Sequence, residues 1–475
     1  MTSASIYWYD FETFGSDPRR DRASQFAGIR TDEDLNIIGD PLVLYCQPSP
    51  DFLPNPMACL ITGITPQKAL SEGVCEAEFI RLIHAEFSQE GTCVAGYNSI
   101  RFDDELTRQL LYRNFYDPYA REWKNGNTRW DILDMARLAA ATRPEGIVWP
   151  KREDGTNSFR LETLTAANGI EHADAHDALS DVLATIEMAR LIKQAQPKLY
   201  EYVYRSRTKQ AVRRQLDLKS HKPVLHVSGM YPAAQGCLAM IAPVCPHPTD
   251  SNGVIVYDLR VDPDDWIDLS DEEIRARLFT SNKLLPEGVC RIPLKTIHTN
   301  KCPILTAPTV LSSELALQYG ISEERIRAHW DKMMQMPHLA EKVSNALRRE
   351  DLPKPDDPDF MIYSGGFFND GDKELMRVVR NTDATELARL DLPFKDGRLQ
   401  EMFFRYRARN FPGTLTEEET ERWRLFCLQR IDSAETRLNH AEDLEKAKTL
   451  ADPAQLESLA QLEHYVSMLS EQQTG

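Results

Sequence analysis

The run IYWYDFETFG near the start of the chain places two carboxylates, Asp10 and Glu12, two residues apart. On a strand of period two they project from the same face. Two carboxylates held together out of water repel each other and lose hydration, so a cation has to neutralise them. Oxygen ligands in a small site suit a hard divalent ion, magnesium or manganese, and such ions assist phosphoryl chemistry. A surface strand that carries an acidic pair without function is the plainer alternative.

A second acidic element, RFDDEL, follows the β-like run CVAGYN. Asp103 stands there at a helix start, where a carboxylate caps the backbone or reaches a metal held at the strand ends. The third element, HADAHDALSDVLATIEMAR, sets His176 and Asp181 five residues apart. Five residues turn about 140° of a regular helix, so the two share no face. His176 is therefore expected in the loop or first turn ahead of the helix, with Asp181 facing the site. A lone loop histidine is usually a polar surface residue; a place off Asp181's helical face suits a mobile base better than a metal ligand.

In this order, DxE on a first strand, Asp before a helix and Hx4D before a later helix resemble the DEDDh exonucleases of ribonuclease-H-like fold, over roughly residues 6 to 190. The resemblance implies that Asp10, Glu12, Asp103 and Asp181 are ligands for two Mg2+ ions, with Mn2+ as a substitute, and that His176 is the general base. Those five would be the catalytic residues. The motifs YDFETFG, QFAGIRTD, LITGITPQ, GYNSIRFDDE, RNFYDPY, RPEGI, SFRLETLTAANGIEHADAHDA, HVSGM, NKCP and RARNFPGT extend the likeness across nearly the whole chain, to the bacterial exonuclease I family.

That resemblance implies an α/β ribonuclease-H-like exonuclease domain over residues 1–195, an SH3-like β-rich domain over 196–350 and a C-terminal helical domain over 351–475. Together these would clasp single-stranded DNA as an incomplete ring. It also implies 3′→5′ degradation to deoxynucleoside 5′-monophosphates, in DNA repair and recombination. A nuclease indifferent to sequence grips backbone and base faces, with arginines among aromatics. Arg108, Tyr119, Trp123, Arg137 and Arg160 match positions that contact the strand or its scissile phosphate. Phe11 either wedges against a terminal base or sits in the core. Arg143, Tyr202 and Lys222 resemble a pocket for the acidic, apolar-ended tail of the single-stranded-DNA-binding protein. Two rivals remain: the same chemistry on RNA, as in oligoribonuclease-like enzymes that resemble the first domain alone, and a binding scaffold with a dead site. The presence of all five catalytic residue types weighs against the second.

The elements that must position these residues follow from composition and periodicity. A length of 475 residues calls for two or three cores, and 42% apolar with 27% charged residues is an ordinary globular balance. Runs such as IYWYDFE alternate with amphipathic segments up to about residue 195, the pattern of an α/β domain. VLHVSGM, GCLAMIAPV and GVIVYDL predict a small β barrel or sandwich. LPKPDDPD reads as a linker, and Thr416 with Glu419 as a capping box opening a helical region. Nine scattered cysteines without a CxxC pair suggest reduced thiols, and Cys245 with His247 lacks the second pair that a zinc site needs. With no leader or long apolar run, a cytoplasmic monomer is expected.

The net charge of −17 speaks against a nucleic-acid partner only on average. Arg190, Lys193, Lys198, Arg205, Arg207, Lys209, Arg213, Arg214, Lys219 and Lys222 face only Glu201 and Asp217 in one stretch, a local +8. Such a stretch is either a solvated helix face or a seat for an anionic ligand, DNA or an acidic protein tail.

Overall fold

The computed structural model describes residues 4–172, 176–348 and 355–474, and the chain divides into two compact units. One gathers Met1–Thr128, His172–Ile186 and Pro353–Gly475; the other holds Arg129–Glu171 and Glu187–Leu352. The two ends of the chain thus share one unit, an arrangement that linear order does not suggest.

In the first unit, strand β1 (Ser5–Thr13) lies between β2 (Ala23–Asp32), antiparallel to it, and β4 (Thr92–Gly96), parallel to it. Strand β3 (Leu42–Tyr45) pairs with the far side of β2. Tyr7, Tyr9 and Phe11 project from one face of β1 into a core with Phe26, Phe79, Ile83, Phe87, Leu106 and Leu110. Alternation then turns Asp10 and Glu12 to the opposite face. Phe79, Ile80, Ile83 and Phe87 form the apolar stripe of the helix Glu76–Phe87. After β4 the chain reverses through Asn98, at φ 62°, into the wholly buried helix Asp103–Arg113.

The helices Gly397–Asn410, Glu417–Ile431, Ala434–Leu450 and Pro453–Thr474 belong to the same unit. Met402, Phe403 and Tyr406 share a core with Tyr112 and Phe115. The Thr416–Glu419 capping box forms in both directions. Buried ion pairs add a second tie: Asp51 accepts from Arg22, Arg409 and Arg430, and Asp359 from Arg405, Arg409 and Arg430.

The second unit carries a five-stranded antiparallel sheet, ordered Ile304–Thr306, Val224–Val227, Leu238–Pro246, Gly253–Asp258, Leu294–His298. Three of these strands match the predicted β runs. Of the other two, Leu294–His298 interleaves lysine, threonine and histidine with its apolar residues and Ile304–Thr306 is only three residues long, so neither gives a strong apolar run. Helices Asp271–Phe279, Glu323–Gln335 and Leu339–Leu347 also lie in this region, which the sequence reading treated as β-rich alone. Among the described residues no helix is long and apolar enough to cross a membrane.

Candidate active site

Four carboxylates converge in the first unit from separate elements. β1 delivers Asp10 and Glu12, the helix Asp103–Arg113 delivers Asp103 as its first residue, and the helix Ala178–Ala195 delivers Asp181. The cap position ahead of Asp103 is Phe102, so Asp103 stands inside the first turn. Glu12 and Asp103 are only 9% and 5% exposed. Burial, then the charges of Asp103, Glu12, Asp181 and Asp177, push the Asp10 carboxyl well above its usual range. Burial, then Asp181, Asp103 and Asp177, push Glu12 up to about 8. The neighbours acting on both groups are all carboxylates, so every interaction favours the protonated form unless a cation arrives.

His176 stands in the loop, two residues before the helix Ala178–Ala195, exposed and at φ 72°. That left-handed conformation is uncommon for a side chain larger than glycine and clusters at functional sites. Among the described residues, Glu12, His176 and Asp181 bring donor atoms within 4.8 Å of one another. Neither Asp10 nor Asp103 joins that group, although Asp103 acts electrostatically on Glu12, and Glu12 and Asp181 act on Asp10. Sequence reasoning missed three contributors. His172 Nε2 lies 2.5 Å from Asp181 Oδ1, Asp177 adds a fifth charge, and Gln25 touches the loop itself. The spacing of His172 to Asp181 could have flagged the first; the others become visible only with strand pairing.

The remaining residues singled out from the sequence fall in varied settings. Phe11 packs in the aromatic core against Tyr9, Phe26 and Phe79. Arg108 is buried, forked onto Glu122 at 2.7 and 3.1 Å, with its guanidinium over the Tyr119 ring. Trp123 is 66% exposed. In the second unit, Arg137 pairs with Asp134 at 2.5 Å, and Arg160 is exposed at the cap of the helix Leu161–Ala167. Arg143 donates to Val310 O at 2.8 Å and Tyr202 to Leu305 O at 3.2 Å, so both lean on one segment. Exposed Lys222 precedes the strand Val224–Val227, in which Leu225 pairs with Thr306 of that segment. An apolar groove beside Tyr202 is lined by Pro197, Lys198, Glu201, Arg205 and Ser206.

A central mixed sheet that aims an acidic cluster at a histidine loop, followed by a β-rich stretch and a helical C-terminus, defines an exonuclease of ribonuclease-H-like fold. Family models match in the same sense: "Exonuclease" over residues 7–189, "Exonuclease I SH3-like domain" over 207–349 and "Exonuclease I C-terminal domain" over 356–469. Exodeoxyribonuclease I of Escherichia coli is 45% identical over 421 residues, 88% of each chain. A solved exonuclease I from Methylocaldum szegediense is 49% identical with a TM-score of 0.93, covering 98% of this chain and 99% of that one.

Structures of the Escherichia coli enzyme also superpose on the chain. They include a complex with a dA16 oligonucleotide (TM-score 0.95, 42% identity, 98% and 100% of the two chains). Another is a zinc-bound complex with single-stranded DNA (0.94, 42%, 99% and 100%). A solved SSB/exonuclease I complex with an inhibitor is similar as well (TM-score 0.90, 41% identity, 98% and 100% of the two chains). The chain belongs to the exonuclease I family.

Proposed function

We propose that the chain removes nucleotides from the 3′ end of single-stranded DNA, releasing deoxynucleoside 5′-monophosphates. In this reading Asp10, Glu12, Asp103 and Asp181 hold two divalent ions, magnesium or manganese, and His176 is the general base. The observation that carries it is the convergence of four buried or half-buried carboxylates, where burial and then the neighbouring charges push Glu12 up to about 8. Such a donor set, all oxygen and short of positive charge, fits a hard divalent cation. Bound there, the ions would supply charge against the developing negative phosphate and acidify the attacking water.

The chain's own side chains do the rest. The four carboxylates fix where cations and scissile phosphate meet, because each comes from a packed element. His176, within 4.8 Å of Glu12 and Asp181 donor atoms, is close enough to take the proton from an attacking water. Trp123 is exposed enough to stack on a base, and Tyr119 in the same unit adds a further base contact; Arg137 and Arg160, in the second unit, are assigned to the DNA backbone. Arg108 serves by holding Tyr119 and Glu122 in place beside the strand. Phe11 supports the same end of the site from beneath, as part of the core under Asp10 and Glu12.

The relatives named for single-stranded DNA and for SSB support two partners here. Arg143, Tyr202 and Lys222, with the apolar groove beside Tyr202, suit an acidic tail that ends in apolar residues. We place the chain, as a monomer, in repair and recombination in the bacterial cytoplasm, with domains over 1–195, 196–350 and 351–475.

The test is digestion of 5′-labelled oligonucleotides, single- and double-stranded DNA and RNA, with magnesium or with chelator. A ladder shortening from the 3′ end, on single-stranded DNA and only with metal, is the expected result. Full-strength degradation in chelator, or an undiminished rate on 3′-blocked ends, would sink the reading.

A further inference from the structure

Gln25 links the strand that carries Glu12 to the loop that carries His176. It lies on β2 directly across from Glu12 and is 2% exposed. Its amide is engaged on every side. Nε2 donates to Asp177 Oδ2 and to Tyr45 Oη, each at 3.2 Å, while Oε1 accepts the Ala178 N–H at 3.3 Å. The partners fix the amide's orientation: a backbone N–H can only donate and an ionised carboxylate can only accept, so the nitrogen faces Asp177.

Asp177 passes the constraint onward, because its Oδ1 accepts the Ser180 N–H at 3.1 Å. One buried amide therefore pins both residues that follow His176, together with the start of the helix that bears Asp181. His176 needs such a restraint. A non-glycine residue at φ 72° is strained and stays there only when its surroundings hold it.

We propose that Gln25 is a positioning residue for His176: by clamping Asp177 and Ala178 it holds the imidazole within reach of the reacting water, without itself touching DNA. The proposal rests on His176 being the base, and the test separates the two ideas. Turnover on single-stranded DNA is measured for Gln25→Ala, His176→Ala and the double variant, alongside Mn2+ titration and thermal unfolding. Gln25→Ala is expected to lower kcat about 10- to 100-fold, the scale of a small misplacement of a reacting group, while KM and Mn2+ affinity stay within about twofold. In the His176→Ala background the same change should cost less than about threefold, since coupled residues do not add.

A paired exchange keeps the idea testable if the alanine variant folds poorly. Gln25→Glu turns an oxygen toward Asp177 and should be as impaired as Gln25→Ala. Adding Asp177→Asn returns a donor from the opposite side and should recover most of the lost turnover. An equal loss from Gln25→Ala with and without His176, loss of Mn2+ binding, or no recovery in the paired exchange overturns the proposal while leaving the base intact. Wild-type turnover in His176→Ala removes the base, and the Gln25 proposal with it.

Discussion

Asp51 and Asp359 are 4% and 1% exposed, as deeply buried as Asp103 and Glu12 in the same compact unit, yet their electrostatics run the opposite way. Burial alone would raise the Asp51 carboxyl, but Arg409, Arg22 and Arg430 overcome it and hold the group well below its usual range. Glu76 behaves likewise: against burial, Arg113 and Arg22 bring it down to about 2. Around Asp10 and Glu12 burial is joined by further carboxylates, and the groups move up. The difference separates two uses of a buried acid. Where the chain supplies arginines, the carboxylate holds the packed fold together, as Asp51 does by joining the C-terminal helices to the N-terminal part of the unit. Where it supplies more carboxylates, the compensating charge has to come from solution.

The comparison can be broken at its structural end first. Asp51→Ala leaves three guanidinium groups without their shared partner and should cost about 3–5 kcal/mol of unfolding free energy, the same with magnesium or chelator. Urea denaturation reads this. At the other end, Glu12→Gln should leave the metal-free protein no less stable, because a neutral amide escapes the cost of holding a carboxyl protonated among other carboxylates. Its kcat should fall about 10²- to 10³-fold, the scale for losing one preorganised electrostatic group.

A smaller effect sharpens the contrast through pH. Glu12 rises from an ordinary 4.5 to about 8 on folding, so its contribution is full below pH 4.5 and is lost as pH climbs through 8. Glu76 falls from 4.5 to about 2, so its contribution is full above pH 4.5 and is lost as pH drops through 2. Thermal unfolding in chelator should therefore show the Glu12 loss between pH 4.5 and 8, and added magnesium should stabilise more at pH 8 than at pH 5. Least of all, Trp123→Ala should weaken single-stranded DNA binding by about 1–3 kcal/mol through lost stacking, read by fluorescence anisotropy, with the unfolding midpoint unchanged.

The contrast also marks what the sequence makes legible. Strand alternation suffices to put Asp10 and Glu12 on one face, and apolar periodicity suffices for the helices bearing Asp103 and Asp181, because these are local signals. Gln25 carries no such signal: it matters because β2 pairs with β1 and brings it across from Glu12. The fork of Arg108 onto Glu122 carries no local signal either, because it joins residues fourteen apart across a turn. The union of both chain ends in one unit was hidden for a related reason. Tyr112 meets Met402 and Arg409 meets Asp51 only in the packed fold.

The most direct measurement is Mn2+ binding followed by electron paramagnetic resonance, on the wild-type chain and on an Asp10→Asn, Asp181→Asn variant, with digestion of single-stranded DNA assayed on the same samples. Two ions are expected on the wild type, none on the variant, and exonuclease activity lost in step. Undiminished Mn2+ binding by the variant, or full digestion by metal-stripped wild type, would contradict it.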